Sequence, residues 1–94
     1  MLAFKDIAPV ANVHILVIPK KRGKLTRLSN ADEQDEQILG KLMVAASKIS
    51  KEQKLEGCRI VINDGEAAGQ TVFHLHVHII GGGKFDWPPG VSKL

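Results

Sequence analysis

Three of the four histidines in this 94-residue chain, His74, His76 and His78, occupy alternate positions of the run TVFHLHVHII. Side chains of an extended strand alternate between its two faces, so the imidazoles share one face while Phe73, Leu75, Val77 and Ile79 share the other. An imidazole titrates near pH 6.5 and serves as nucleophile, acid, base, hydrogen-bond donor or metal ligand. Two histidines at i and i+2 can hold a zinc ion with a third ligand from elsewhere, such as His14. All three strand histidines cannot do so without bending the backbone, because at about 3.3 Å per residue the α-carbons of His74 and His78 stand roughly 13 Å apart. The alternative is attack on phosphorus by the central ring. A covalent intermediate splits one difficult displacement into two easier ones. His76 has an imidazole on either side, and these neighbours can bind phosphate oxygens or protonate a leaving group.

Four elements have to position that row. Residues 12–18, NVHILVI, read as a strand closed by Pro19, with His14, Leu16 and Ile18 on one face. Lys20, Lys21, Arg22, Lys24 and Arg27 gather around Gly23 in what has the composition of a solvated loop, with anion steering or a localisation signal as other uses. Ser29 or Asn30 is placed to cap a long helix, with Asp32, Glu33, Asp35 and Glu36 in its first turns and Lys48, Lys51 and Lys54 near its end. Ile38, Leu39, Leu42, Met43, Ala46 and Ile49 form its apolar stripe, and Gly57 is placed to stop it. CRIVIN supplies a further strand, the polar loop DGEAAG follows, and TVFHLHVHII forms the strand that carries the histidines. The tail KFDWPPGVSKL is too rich in proline and glycine for a regular element.

A chain of 94 residues and 10.2 kDa is one domain, residues 1–94. Cores this small rarely supply more than about 3–5 kcal/mol, which favours a homo-oligomer. Hydrophobic residues make up 44% and charged residues 24%, a globular composition far from disorder. The single cysteine, Cys58, excludes an internal disulfide framework and suits a reducing compartment. No apolar run reaches the roughly 18–20 residues of a spanning helix, and the opening MLAFKDIAPV lacks the pattern of a secretory signal. The expected location is therefore the cytoplasm, with the nucleus as a second compartment. A net charge of +3 mildly favours anionic partners.

The run His74-Leu75-His76-Val77-His78-Ile79-Ile80 matches His-φ-His-φ-His-φ-φ, with φ apolar, and so resembles the signature of the histidine triad (HIT) superfamily of nucleotide hydrolases and transferases. DIAPVANVHILVIPKK, RIVINDGEAAGQTVFHLHVHIIGG and the terminal WPPG resemble its Hint branch, from Leu2 to Gly90. The resemblance implies an α+β HIT-like fold, a mostly antiparallel sheet with one long helix, the sheet extended across a homodimer. It implies a purine nucleoside phosphoramidase acting on substrates such as adenosine 5′-monophosphoramidate or AMP joined to a lysine amine, with no metal or other cofactor. Carried over by motif, His76 is the nucleophile, His74 and His78 flank the phosphate, and His14 supports the triad. Asp6 matches the carboxylate that binds the ribose hydroxyls, with Phe4 and Ile7 beside the base. Asn63 and the Gly69-Gln70-Thr71 turn match the phosphate-side polar groups, with Thr71 standing where many relatives have serine. Trp87 matches the residue that reaches towards the other subunit's site. Family members usually carry further residues ahead of the LAF segment, some of which line the base pocket. A non-catalytic purine nucleotide-binding module and a zinc-binding protein are the competing readings; neither membrane nor nucleic acid is expected as a partner.

Overall fold

The computed structural model describes residues 1–87 and residue 89; the rest of the tail expected to be irregular lies outside the described residues. Four strands, β1 (Leu2–Lys5), β2 (Val13–Ile18), β3 (Cys58–Val61) and β4 (Val77–Gly81), form one antiparallel sheet in the order β1-β2-β4-β3. One helix, α1 (Glu36–Glu52), packs on it. The architecture is the expected α+β arrangement.

The period of two sorts β2 and β4. Ile15 and Val17 on β2 and Val77 and Ile79 on β4 face α1, where they meet Leu42 and Ala46 in a core that also takes Leu25 and Leu75. Each large aliphatic side chain removed from water contributes about 1.5–3 kcal/mol, which fixes the register, since a slip of one residue would expose the whole set. His14, Leu16, Ile18 and His78 are left on the opposite face, which no helix covers among the described residues.

Five local expectations are corrected. The histidine strand is shorter than residues 71–80: β4 begins at Val77, because Leu75 N–H donates to the Leu25 carbonyl of a loop instead of to a neighbouring strand. His74 and His76 thus sit in an irregular run that still alternates, with Leu75 1% exposed, whereas Phe73 is 41% exposed and leaves the core. The helix is capped at neither Ser29 nor Asn30. A 3-10 turn, Glu33–Asp35, leads into α1, and Asp32 caps that turn, accepting from Gln34 N–H while Asp35 accepts from Asp32 N–H. Met43 lies on the outer face of α1, 42% exposed, one step round from the stripe. The helix ends before Gly57 at Glu52, and Lys54 takes the left-handed turn at φ 54°. Finally, β1 is a strand the sequence reading did not assign: four exposed residues, held only by pairing with β2.

Candidate functional site

The uncovered face carries a cavity of about 460 Å³. β1 contributes Phe4, β2 contributes Leu16 and Ile18, and the segment leading into β4 contributes Thr71, Val72, His74 and His76, with His78 from β4 itself. Asp6 and Ile7, just beyond β1, complete the rim. Phe4 (44% exposed) and Ile7 (101%) present open apolar surface to it.

Hydrogen bonds to groups of known polarity fix the imidazole tautomers. His76 Nδ1 lies 2.7 Å from the His74 carbonyl, which can only accept, so Nδ1 carries the proton. In the neutral ring, Nε2 is then the nitrogen with the free lone pair. His74 Nε2 donates in the same way to the Pro19 carbonyl at 2.7 Å. His14 is 7% exposed; its Nδ1 accepts from Val10 N–H at 3.2 Å, so Nε2 holds the proton and donates to His78 Nδ1 at 2.8 Å. His78 in turn keeps its proton on Nε2. The His76 and His78 rings meet edge to face, centroids 5.0 Å apart. Burial pushes the His78 imidazole below its ordinary value; the neighbouring His76 and His14 push the same way, and the Asp6 carboxylate opposes them.

Asp6 is set by two contacts. Its Oδ1 accepts from Ala8 N–H at 2.8 Å, and its Oδ2 lies 3.4 Å from His14 Nε2. One carboxylate oxygen of Asp6, His14 Nε2 and His78 Nδ1 therefore lie within 4.8 Å of one another. Two imidazoles and a carboxylate are a donor set that fits zinc in kind, once the protons between them are displaced.

Asn63, Gly69 and Gln70 do not line the cavity. Asn63 Nδ2 donates to the Ala68 carbonyl at 2.7 Å and ties down the loop, and Gly69 turns that loop at φ 89°. The Gln70 amide is turned inward and consumed by three hydrogen bonds, to Gly65, Thr26 and Val72. What these residues give the site is the path of the backbone into Thr71. Across the loop, Arg27 pairs with Asp64 at 2.9 Å, and its guanidinium holds the Asp64 carboxyl below the usual carboxylate range. Trp87 is 84% exposed and does not line the cavity. Leu16, Ile18 and Val72 are cavity residues the sequence reading passed over; for the first two the signal was present in their shared face with His14.

A histidine row beside a pocket on the open face of this sheet is the arrangement of a HIT domain. A family model for the HIT domain matches residues 1–85, and the chain belongs to that family. Its relatives place it in the Hint branch. It is 54% identical over 91 residues to the adenylylsulfatase HINT1 of Arabidopsis thaliana, covering 96% of this chain and 62% of that protein. The chain thus spans under two thirds of that relative's length. It is 53% identical over 91 residues to a 14 kDa zinc-binding protein of Brassica juncea, covering 96% of this chain and 80% of that one. Among solved structures, a HIT family hydrolase from Legionella pneumophila superposes with a TM-score of 0.89 at 37% identity, over 94% of this chain and 79% of its own.

Proposed function

We propose that this chain is a nucleotide-binding hydrolase that cleaves the phosphorus to nitrogen bond of purine nucleoside phosphoramidates. The observation that carries the reading is the His76 ring, held by Nδ1–H on the His74 carbonyl so that Nε2 is left as the nucleophile in a cavity-lining side chain. His76 Nε2 attacks phosphorus, the bond to the amine breaks, and the amine departs with the proton of His78 Nε2–H. Water then attacks the nucleotidyl-imidazole, giving up a proton that restores His78; the phosphorus to nitrogen bond breaks, and His76 is regenerated. The net change is phosphoramidate plus water to nucleoside monophosphate plus amine.

Each remaining residue takes one task in this reading. Asp6, with lone pairs to spare, binds the ribose hydroxyls, and Phe4 and Ile7 flank the base. His14 holds His78 in its tautomer. His74 steadies the His76 segment through Pro19, and Thr71 stands at the leaving group. Asn63, Gly69 and Gln70 shape the phosphate side, Gln70 through its backbone. Two subunits join across β3, one of the two edge strands of the sheet, and Trp87 of each reaches the other's site. The hydrolase names of the Arabidopsis and Legionella relatives support the reaction class.

Rapid quenching with an adenosine phosphoramidate, followed by mass spectrometry of the peptide holding His74 to His78, is expected to show an adenylyl adduct on His76. His76→Ala should abolish turnover and still bind AMP. Binding without adduct or turnover in the wild type would leave a nucleotide-binding module instead. The Asp6, His14 and His78 cluster favours one second reading, a zinc-binding protein like the Brassica relative. Bound zinc would engage these three donors and supply a fixed positive charge beside the cavity. Stoichiometric zinc in purified protein, lost in His14→Ala, would support it.

A further inference from the structure

The basic run after β2 has no task in the chemistry above, and its five cations are not alike. Lys24 is paired with Asp32 at 2.5 Å and Asp35 at 3.2 Å, and Arg27 with Asp64 at 2.9 Å. Lys20, Lys21 and Arg22 are exposed, and among the described residues none of them enters an ion pair. Three uncompensated charges thus stand together.

Their place follows from the end of β2. Its last pair with β4 is Val17 with Val77, and Pro19 and Lys20 follow Ile18 directly. The hydrogen bond from His74 Nε2 to the Pro19 carbonyl ties this point of the chain to the histidine row. Pro19 is fully buried, whereas Lys20 next to it is exposed in a bend at the end of a strand whose Leu16 and Ile18 line the cavity. A lysine side chain reaches about 6 Å from its α-carbon, so from its place next to the Pro19 carbonyl that His74 bonds, the Lys20 ammonium can come within roughly 10 Å of a phosphorus held at His76. That is about one Debye length at physiological ionic strength, and the low-dielectric wall of the cavity weakens screening further. His74 borders the cavity at this point, so a group leaving phosphorus towards His74 would pass Lys20.

Building on the hydrolase reading, we infer that Lys20, backed by Lys21 and Arg22, selects substrates whose leaving amine carries a negative charge of its own, such as a carboxylate or a phosphate. The charge attracts the substrate and steadies the departing group without touching the bond that breaks. A neutral amine of equal size gains neither effect.

The test uses two substrates that differ by one charge: AMP joined through nitrogen to β-alanine, and AMP joined to β-alanine amide. The quantity read is the ratio of their kcat/KM values at 50 mM salt, in the wild type and in K20M, K20R and the triple variant K20M/K21M/R22M. Comparing ratios removes the intrinsic difference between the two amines. The ratio is expected to fall about 3- to 10-fold from wild type to the triple variant, to fall part of the way in K20M, and to hold in K20R. It should also hold in K41M, whose charge is lost from α1 instead. A ratio that changes less than twofold in the triple variant overturns the inference while leaving the hydrolase intact. A wild type that turns over neither substrate removes the hydrolase reading, and this inference with it.

Discussion

Replacing Gln70 with leucine keeps the volume of a buried side chain and removes only its amide. Gln70 is 3% exposed; Oε1 accepts from Gly65 N–H at 2.8 Å, and Nε2 donates to the Thr26 carbonyl at 2.7 Å and the Val72 carbonyl at 3.1 Å. The three partners would not suffer equally. Gly65 is buried, and leaving its N–H without an acceptor costs about 1–3 kcal/mol. Thr26 is half-buried and loses a bond of about 1 kcal/mol, whereas exposed Val72 finds water. The expected loss is about 2–4 kcal/mol, a large share of the roughly 5–14 kcal/mol that a domain of this length has. At about 4–8 °C per kcal/mol, the thermal midpoint should drop by roughly 8–32 °C. Urea unfolding at fixed protomer concentration gives the free energy, and the slope with urea reports whether the native state stays compact. A loss below about 1 kcal/mol with an unchanged slope would refute the reasoning. Because the same amide joins the loop at Thr26, the turn at Gly65 and the cavity wall at Val72, the variant should also lose affinity for AMP before it unfolds.

Removing the support under His78 is a kinetic test: His14→Phe fills the space but deletes the donor to His78 Nδ1, and kcat for an adenosine phosphoramidate should fall about 10- to 30-fold, the worth of one orienting hydrogen bond. A change confined to KM would show that His14 serves binding alone. Burial lowers the His78 pKa, so the unfolded chain binds more protons than the folded one just below the ordinary value of 6.5. The contribution of His78 to stability is therefore complete above pH 6.5 and is lost as the pH falls through its folded value. Urea midpoints between pH 5 and pH 8 should fall on the acid side more steeply for the wild type than for His78→Gln, and parallel curves would contradict the assignment.

The histidine row was readable because period-two alternation survives where the strand does not. Leu75 keeps its inward place by bonding to Leu25 in a loop, so His74 and His76 point away from the core although no ladder holds them. The strand boundary was unreadable for the same reason, since the apolar pattern continues past the hydrogen bonds. Ser29 and Asn30 are good caps by residue type, but Asp32 and Asp35 satisfy each other's backbone donors and win. LAFK gives little sign of a strand, having one polar residue and no buried one, and only pairing with β2 makes it so. Nothing local announces that Gln70 turns inward; its three partners come from Thr26, Gly65 and Val72, the first of them far off in the chain.

The sheet gives β1 a precarious place. It hangs from β2 alone, with its side chains exposed, yet it carries Phe4 and delivers Asp6 and Ile7 to the cavity rim. Such a flap opens more readily than the strands behind it, so its amides are the first to exchange with solvent deuterium. An occupant gripped between this flap and the histidine row rivets it shut. Slowed exchange at Phe4 and Asp6, whose amides face β2, is then a direct gauge of occupancy, readable with no label on the occupant.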